Sequence, residues 1–468
     1  MIWIYLLTCF MPVVLGAAEP LTWPSFRGLN ASGISSSARP PVNIGPSNRV
    51  AWKVSVPYAP SSPSIAGDRI FLTAFDAGEL QTRAYRRSDG KLLWSQGIRP
   101  TVLEEFHATE GSPAAATPAT DGHFVVNYFG SHGLVCYDVE GRERWQYRLP
   151  VATTSGNFGS GTSALILGDA VILSRDMSTG SSLLAVSLTT GKRLWETPRP
   201  DSPTSYGSPI VWSVDGTPQL VVAGSLWLKA YDPASGNELW KLPGLPSYSC
   251  TTPVVGDGLL FYAGWSPGKS DSPWPSWESV LEKQDKDHDG VITPSEYSNG
   301  AVWFKAQDLD GDGKLTRKDW DTIGGLMKKG ENVLLAIKPS GKGELSESHI
   351  AWKYTRGLPY VPSPLFYDGR VYMIRDGGML SSFDSKTGRA FYEQERVKAA
   401  GSYYASPVAA DGKIYLASLD GTVSVIRAGG DMPEILHQAK FGERITGSPA
   451  LVGDTLYLRT QTQLYAFR

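Results

Sequence analysis

Residues 406–416 read Ser406-Pro407-Val408-Ala409-Ala410-Asp411-Gly412-Lys413-Ile414-Tyr415-Leu416. A hydroxyl residue and a proline open the stretch, a short β-rich run follows, and an Asp-Gly pair divides it from a second β-rich run. Such pairs supply the positive φ angles that tight hairpins require. The same unit starts at Ser62-Pro63, Thr117-Pro118, Thr162-Ser163, Ser208-Pro209, Thr252-Pro253, Ser363-Pro364, Ser406-Pro407 and Ser448-Pro449, with spacings of 55, 45, 46, 44, 111, 43 and 42 residues. Its first turn recurs in phase, at Gly67-Asp68, Asp121-Gly122, Gly168-Asp169, Asp215-Gly216, Asp257-Gly258, Asp368-Gly369, Asp411-Gly412 and Gly453-Asp454. A second turn, as at Thr190-Gly191, leads to an outer strand carrying Trp94, Trp145, Trp195, Trp240 or Trp352. Four short strands in about 45 residues with a fixed aromatic describe one blade of a β-propeller.

Eight units predict an all-β, eight-bladed propeller. The last unit stops at Leu464-Tyr465-Ala466-Phe467-Arg468, where its outer strand is due, and Val50-Ala51-Trp52-Lys53-Val54 fits that missing strand. An N-terminal strand is therefore expected to close the ring and remove exposed edges. The domain reading is a signal peptide at 1–18, a leader at 19–48, propeller at 49–265 and 331–468, and an insertion at 266–330 in blade five.

Composition agrees with this architecture. The 468 residues include 50 Gly and 33 Pro, too many for a helical protein, and 15 Trp and 21 Tyr that can fill a large core. With 44 basic against 46 acidic side chains and a net charge of −2, no sustained basic field exists to hold nucleic acid. Met1–Ala18 is uncharged, apolar and closed by Gly16-Ala17-Ala18, which predicts export to the periplasm or medium. No later stretch is apolar enough to span a bilayer, so a soluble monomer is expected. Removal of the signal peptide would leave Cys136 and Cys250, whose pairing the sequence leaves open.

Thr190-Gly191-Lys192-Arg193-Leu194-Trp195 and its relatives resemble the tryptophan-bearing repeat of the pyrroloquinoline-quinone-type propellers. That superfamily includes quinoprotein alcohol dehydrogenases and the lipoprotein of the outer-membrane β-barrel assembly machine. Trp23-Pro24-Ser25-Phe26-Arg27-Gly28, followed by Val50-Ala51-Trp52-Lys53, is similar to exported bacterial members. The resemblance covers residues 23–468 apart from the insertion. It departs in blades six and seven, where Phe391-Tyr392 and Leu436-His437 replace tryptophan.

The insertion carries Asp285-Lys286-Asp287-His288-Asp289-Gly290-Val291-Ile292-Thr293-Pro294-Ser295-Glu296, the spacing of an EF-hand loop. Asp285, Asp287 and Asp289 supply side-chain oxygens, Val291 a carbonyl, and Glu296 a bidentate carboxylate. The second copy offers Asp308, Asp310, Asp312, the carbonyl of Lys314, and Asp319. Asp319 is one methylene short for bidentate reach, so weaker calcium binding is expected there. Two calcium ions are anticipated. Trp277, Trp303, Phe304 and Trp320 are expected to form a small core beneath the loops.

In a four-stranded antiparallel blade, the loop between strands two and three shares a face with the link into the next blade. The insertion, the hydroxyl-proline links and the segment holding Glu104, Glu105, His107 and Glu110 therefore belong to one face. Tyr206, Tyr248, Tyr360 and Tyr404 join Glu104, His107 and Glu110 as candidate ligand-binding residues there, suited to a protein or glycan. No catalytic residues are assigned. The chain lacks the adjacent cysteines that the resemblance associates with the quinone cofactor, and it lacks a haem-attachment motif. Gly264-Trp265-Ser266-Pro267-Gly268 matches a nucleophile elbow in letters but leaves a propeller strand rather than an α/β turn. The expected function is an exported calcium-binding scaffold. The alternative is a quinone-dependent dehydrogenase of alcohols or sugars.

Overall fold

The computed structural model describes residues 22–107, 109–267, 274–309, 311–339 and 341–468. The segment read as a signal peptide lies outside the described residues. Among the described residues, eight sheets follow one another around an axis, antiparallel except where Gly343–Glu344 joins the fourth sheet in parallel. Their innermost strands are Ser64–Ala66, Ala119–Thr120, Leu165–Leu167, Ile210–Val214, Val254–Gly256, Leu365–Tyr367, Val408–Ala410 and Ala450–Val452. The chain forms an eight-bladed β-propeller. In the eighth sheet, the strand beside Gln463–Phe467 is Val50–Ser55, antiparallel, with Trp52 opposite Ala466.

The repeated hydroxyl residues have a common task. The amide of Ser62 donates to Oγ1 of Thr117 at 3.0 Å. Thr117 donates to Ser163, Ser163 to Ser208, Ser208 to Thr252 and Thr252 to Ser363, all at 2.9–3.0 Å. Ser363 donates to Ser406, Ser406 to Ser448, and Ser448 back to Ser62, each at 2.9 Å. Every blade thus hands one backbone donor to the next blade's hydroxyl, in a circuit of eight. All eight residues are buried, where an unpaired amide would be costly.

The outer tryptophans lock neighbouring blades at the opposite edge. Trp52, Trp94, Trp145, Trp195 and Trp352 pack on Gly90, Gly141, Gly191, Gly236 and Gly388 of the following blade. Their indole N–H groups donate to carbonyls there, including Trp145 to Leu188 at 2.6 Å and Trp352 to Ser385 at 2.8 Å. Gly191 has φ +69°, and a Cβ there would fall 2.7 Å from the Trp145 ring. Trp240 instead donates to Oε1 of Gln219 in its own blade. In blade seven His437 replaces the indole and its Nε2 meets the carbonyl of Ile44 at 2.7 Å.

The leader runs through the centre. Thr22–Trp23 pairs with Ile65–Ala66 in blade one, and the Pro24 carbonyl accepts from Thr120 in blade two at 2.8 Å. Asn30 exchanges two 2.7 Å hydrogen bonds with Val211 in blade four, and Ile34 bridges Ala409 in blade seven. Arg27 is fully buried and donates Nη2 to the carbonyls of Pro364 at 2.9 Å and Pro407 at 3.3 Å. Burial lowers its pKa to about 9.

Among the described residues, three helices separate strands Leu259–Gly264 and Val333–Ile337 of the fifth sheet: α1 (Trp277–Gln284), α2 (Ala301–Gln307) and α3 (Arg317–Lys329). Ser276 caps α1, and Thr316 with Asp319 forms a capping box on α3. Ser266 and Asn332 clasp the neck: the Ser266 amide donates to Oδ1 at 2.9 Å, and Nδ2 returns to the Ser266 carbonyl at 3.0 Å. Among the described residues, no helix is long and apolar enough to cross a membrane.

Candidate functional site

The two acidic loops follow the ends of α1 and α2, with Asp285 and Asp308 each capping a helix C-terminus. Ile292 and Leu315 join the loops by a two-way backbone bridge of 3.0 and 2.9 Å. Gly290, at φ +84°, turns the first loop so that its amide reaches Oδ2 of Asp285 at 3.0 Å. Carboxylate oxygens of Asp285, Asp287 and Asp289 lie within 4.8 Å of one another. Oδ1 of Asp285 is buried without a hydrogen-bond partner. Three carboxylates this close repel unless a cation sits among them, and an orphaned buried oxygen adds a desolvation cost that a hard cation would remove.

Glu296 holds the end of this loop, taking Thr293 N and Lys286 N at 2.9 Å each. With Thr293 Oγ1 at 2.7 Å, these donors lower its pKa to about 2. In the second loop Asp308 accepts from Gly311, Asp312 and Gly313 at 2.9–3.1 Å. The Lys314 amide donates to Asp312, and Asp319 is buried in the capping box. Asp310, a candidate ligand, lies outside the described residues.

Beneath the loops pack Trp277, Val280, Ile292, Tyr297, Phe304, Leu315 and Trp320. Trp274 packs on Trp320 at a tilt of 36°, with centroids 4.6 Å apart. Trp303 departs from the sequence expectation: it is 42% exposed and meets the propeller residue Phe158 edge-on at 5.6 Å. Adjacent helical residues point about 100° apart, so Phe304 takes the core and Trp303 faces outward. Lys305, on the same helix, pairs with Glu105. The insert therefore touches the rim formed by the inter-blade links.

That rim surrounds an axial funnel of about 200 Å³. Phe26 of the leader lines it, and Ser62, Ser163, Ser208, Thr252, Ser406 and Ser448 contribute from the hydroxyl circuit. Phe158, Tyr206, Tyr360, Tyr404, Cys250 and Glu110 come from the links. Tyr404 donates its hydroxyl to Oε2 of Glu110 at 2.8 Å, joining links that lie 294 residues apart in sequence. His107 stacks on Phe158 at 5.5 Å, behind the lining.

Besides His107, two candidate residues stand outside the lining. Glu104 is buried rather than presented on the rim; Ser160 donates its amide and hydroxyl to the carboxylate at 3.0 Å each. Burial nevertheless pushes its pKa up to about 8. Tyr248 does not line the funnel. Phe26 and Cys250 line the funnel without a sequence signal; nothing local places a leader phenylalanine on a distant axis. Cys136 and Cys250 are both free, and burial pushes the Cys250 thiol up to about 12, which keeps it protonated and poorly nucleophilic at neutral pH.

The family model described as "Outer membrane protein assembly factor BamB" matches residues 42–173, 82–254 and 299–468. BamB from Moraxella catarrhalis is a similar solved structure, at 14% identity and TM-score 0.54, covering 89% of this chain and 96% of that one. The quinohemoprotein alcohol dehydrogenase from Comamonas testosteroni is similar at 13% identity and TM-score 0.56, covering 97% of this chain and 81% of that one. The computationally designed Ika8 protein is similar at 10% identity and TM-score 0.55, covering 90% of this chain and 99% of that one. At these identities the likeness is one of fold. No curated protein matches the chain.

Proposed function

Since the chain belongs to the propeller family described as "Outer membrane protein assembly factor BamB", we propose that it is an exported, calcium-binding scaffold that holds a protein or glycan on its insert-bearing face. The ring is closed by Val50–Ser55, and the insertion is an EF-hand pair. Asp285, Asp287, Asp289, the Val291 carbonyl and Glu296 hold one ion. Asp308, Asp310, Asp312, the Lys314 carbonyl and Asp319 hold the other, more weakly. The family description, which names an outer-membrane assembly factor, favours both export and a binding role. The observation that carries the reading is the contact of Trp303 with Phe158, because Phe158 also lines the funnel and so unites insert and funnel in one working face.

Peptide and glycan arrays probed with the calcium-loaded protein test this proposal. Replacing residues 266–330 by a short turn, or Tyr360 by alanine, should each lower retention of the ligand found. Retention unchanged by both would overturn it.

A bound pyrroloquinoline quinone fits these residues poorly. The cofactor is a tricarboxylate, whereas no Lys, Arg or His lines the funnel among the described residues, and Glu110 would repel it. Reconstitution with quinone and calcium, followed by dye-linked oxidation of alcohols and sugars, should therefore give no turnover. Turnover would favour the dehydrogenase alternative.

A further inference from the structure

The funnel's charge and aromatic content select a narrower class of ligand, an argument that rests on the binding-face reading above. Five separate inter-blade links contribute Glu110, Phe158, Tyr206, Tyr360 and Tyr404. Glu110 is the sole carboxyl side chain of the lining, and no cationic side chain lines the funnel, among the described residues. Arg444 lies within electrostatic reach of Tyr404 but is not part of the lining. Glu110 takes the Tyr404 hydroxyl on one oxygen and forms no ion pair among the described residues. The Tyr206 hydroxyl is buried beside Thr154 and, among the described residues, makes no hydrogen bond of good geometry. Tyr206, Tyr404, Cys250 and Glu110 all sit close enough to Tyr360 to disfavour its ionisation, after the larger effect of burial.

Neutral phenol and phenyl rings around one carboxylate are complementary to a cation: the ring faces carry negative potential and the carboxylate supplies the counter-charge. The volume of about 200 Å³ is below the ~300–1,000 Å³ of pockets for drug-sized molecules, so it suits a side-chain tip or a small amine. We propose that the funnel binds an organic monocation, an ammonium or guanidinium group seated among Phe158, Tyr206, Tyr360 and Tyr404 and against Glu110. A lysine or arginine side chain of a peptide and a free quaternary amine share this chemistry.

Calorimetry on the full calcium-loaded chain tests the proposal with choline, Nα-acetyl-lysine amide, and the neutral choline isostere 3,3-dimethylbutanol. One of the cations should bind about tenfold or more tightly than the isostere, the equivalent of ~1.4 kcal/mol. A preference for choline marks a free amine, a preference for acetyl-lysine amide marks a peptide, and either supports the proposal. Glu110→Gln, at an exposed position, should weaken the cation about fivefold or more without changing the melting temperature, and Tyr404→Phe should weaken it less. Equal binding of the isostere, or indifference to Glu110→Gln, overturns it. Binding of a neutral sugar at the funnel with neither cation bound also overturns it while leaving the scaffold reading intact. Absence of any ligand from the arrays and from calorimetry overturns both.

Discussion

The backbone amide of Ser448 donates to Oγ of Ser62 at 2.9 Å, across 386 residues of sequence, and completes the hydrogen-bond circuit around the axis. Ser62→Ala would leave that buried amide without its acceptor. A loss of ~1–3 kcal/mol is expected from urea unfolding. A change below about 0.5 kcal/mol would mean that the circuit contributes little to cohesion between the first and last blades.

Gly191 and Gly258 offer a paired experiment on the tryptophan locks. Both have positive φ, +69° and +77°, but only Gly191 lies under an indole, that of Trp145. Gly258→Ala should cost ~1 kcal/mol, from backbone strain alone. Gly191→Ala should cost ~2–4 kcal/mol, because Trp145 must also shift. Equal losses in thermal unfolding would remove the packing role assigned to the indole.

Glu104 should make stability fall with rising pH. Burial raises its folded-state pKa to about 8, against an unperturbed value of 4.5. The folded state therefore holds a proton that the unfolded state has released, and its stability declines as pH rises from about 4.5 through 8. Ser160 and Arg175 oppose the effect by favouring the carboxylate, though less than burial opposes it. Glu104→Gln should flatten this part of the profile and increase hydrogen-exchange protection near Ser160 at pH 8. An unchanged profile would show that the carboxylate is already ionised in the folded protein.

Calcium removal should act locally. If the two proposed calcium sites bind like extracellular EF-hands, at ~0.1–1 mM, each would contribute only about 0.4–1.4 kcal/mol at ~1 mM calcium. Chelation should speed amide exchange in residues 285–296 and 308–319 and at the Phe158 rim, while the blades stay protected. Asp285→Ala should abolish the tighter site in a calcium titration and Asp308→Ala the weaker one. Unaltered stoichiometry in both would refute the metal assignment.

The blade phase is legible in sequence because the hydroxyl-proline pairs, Asp-Gly turns and tryptophans are local motifs imposed by repeated contacts. The common face of insert and links is legible from strand alternation. Three features are not. Phe26 and Arg27 reach the axis through contacts with blades two, four, six and seven, which no neighbouring residue encodes. Trp303 leaves the insert core for Phe158, a partner in a distant link that no residue near it in sequence specifies. Glu104 looks like a rim acid by its company, and only the tertiary position of Ser160 explains its burial.

The central leader imposes an order of events on folding. Its partners lie in blades one, two, four, six and seven, and Val50–Ser55 finds Gln463–Phe467 only once the opposite terminus is available. Loop closures of this span come late, and an open arc of blades displays unsatisfied strand edges meanwhile. A truncated or stalled chain should thus accumulate as a sticky half-ring rather than a smaller stable propeller, which makes completion of the circle a checkpoint for release in native form.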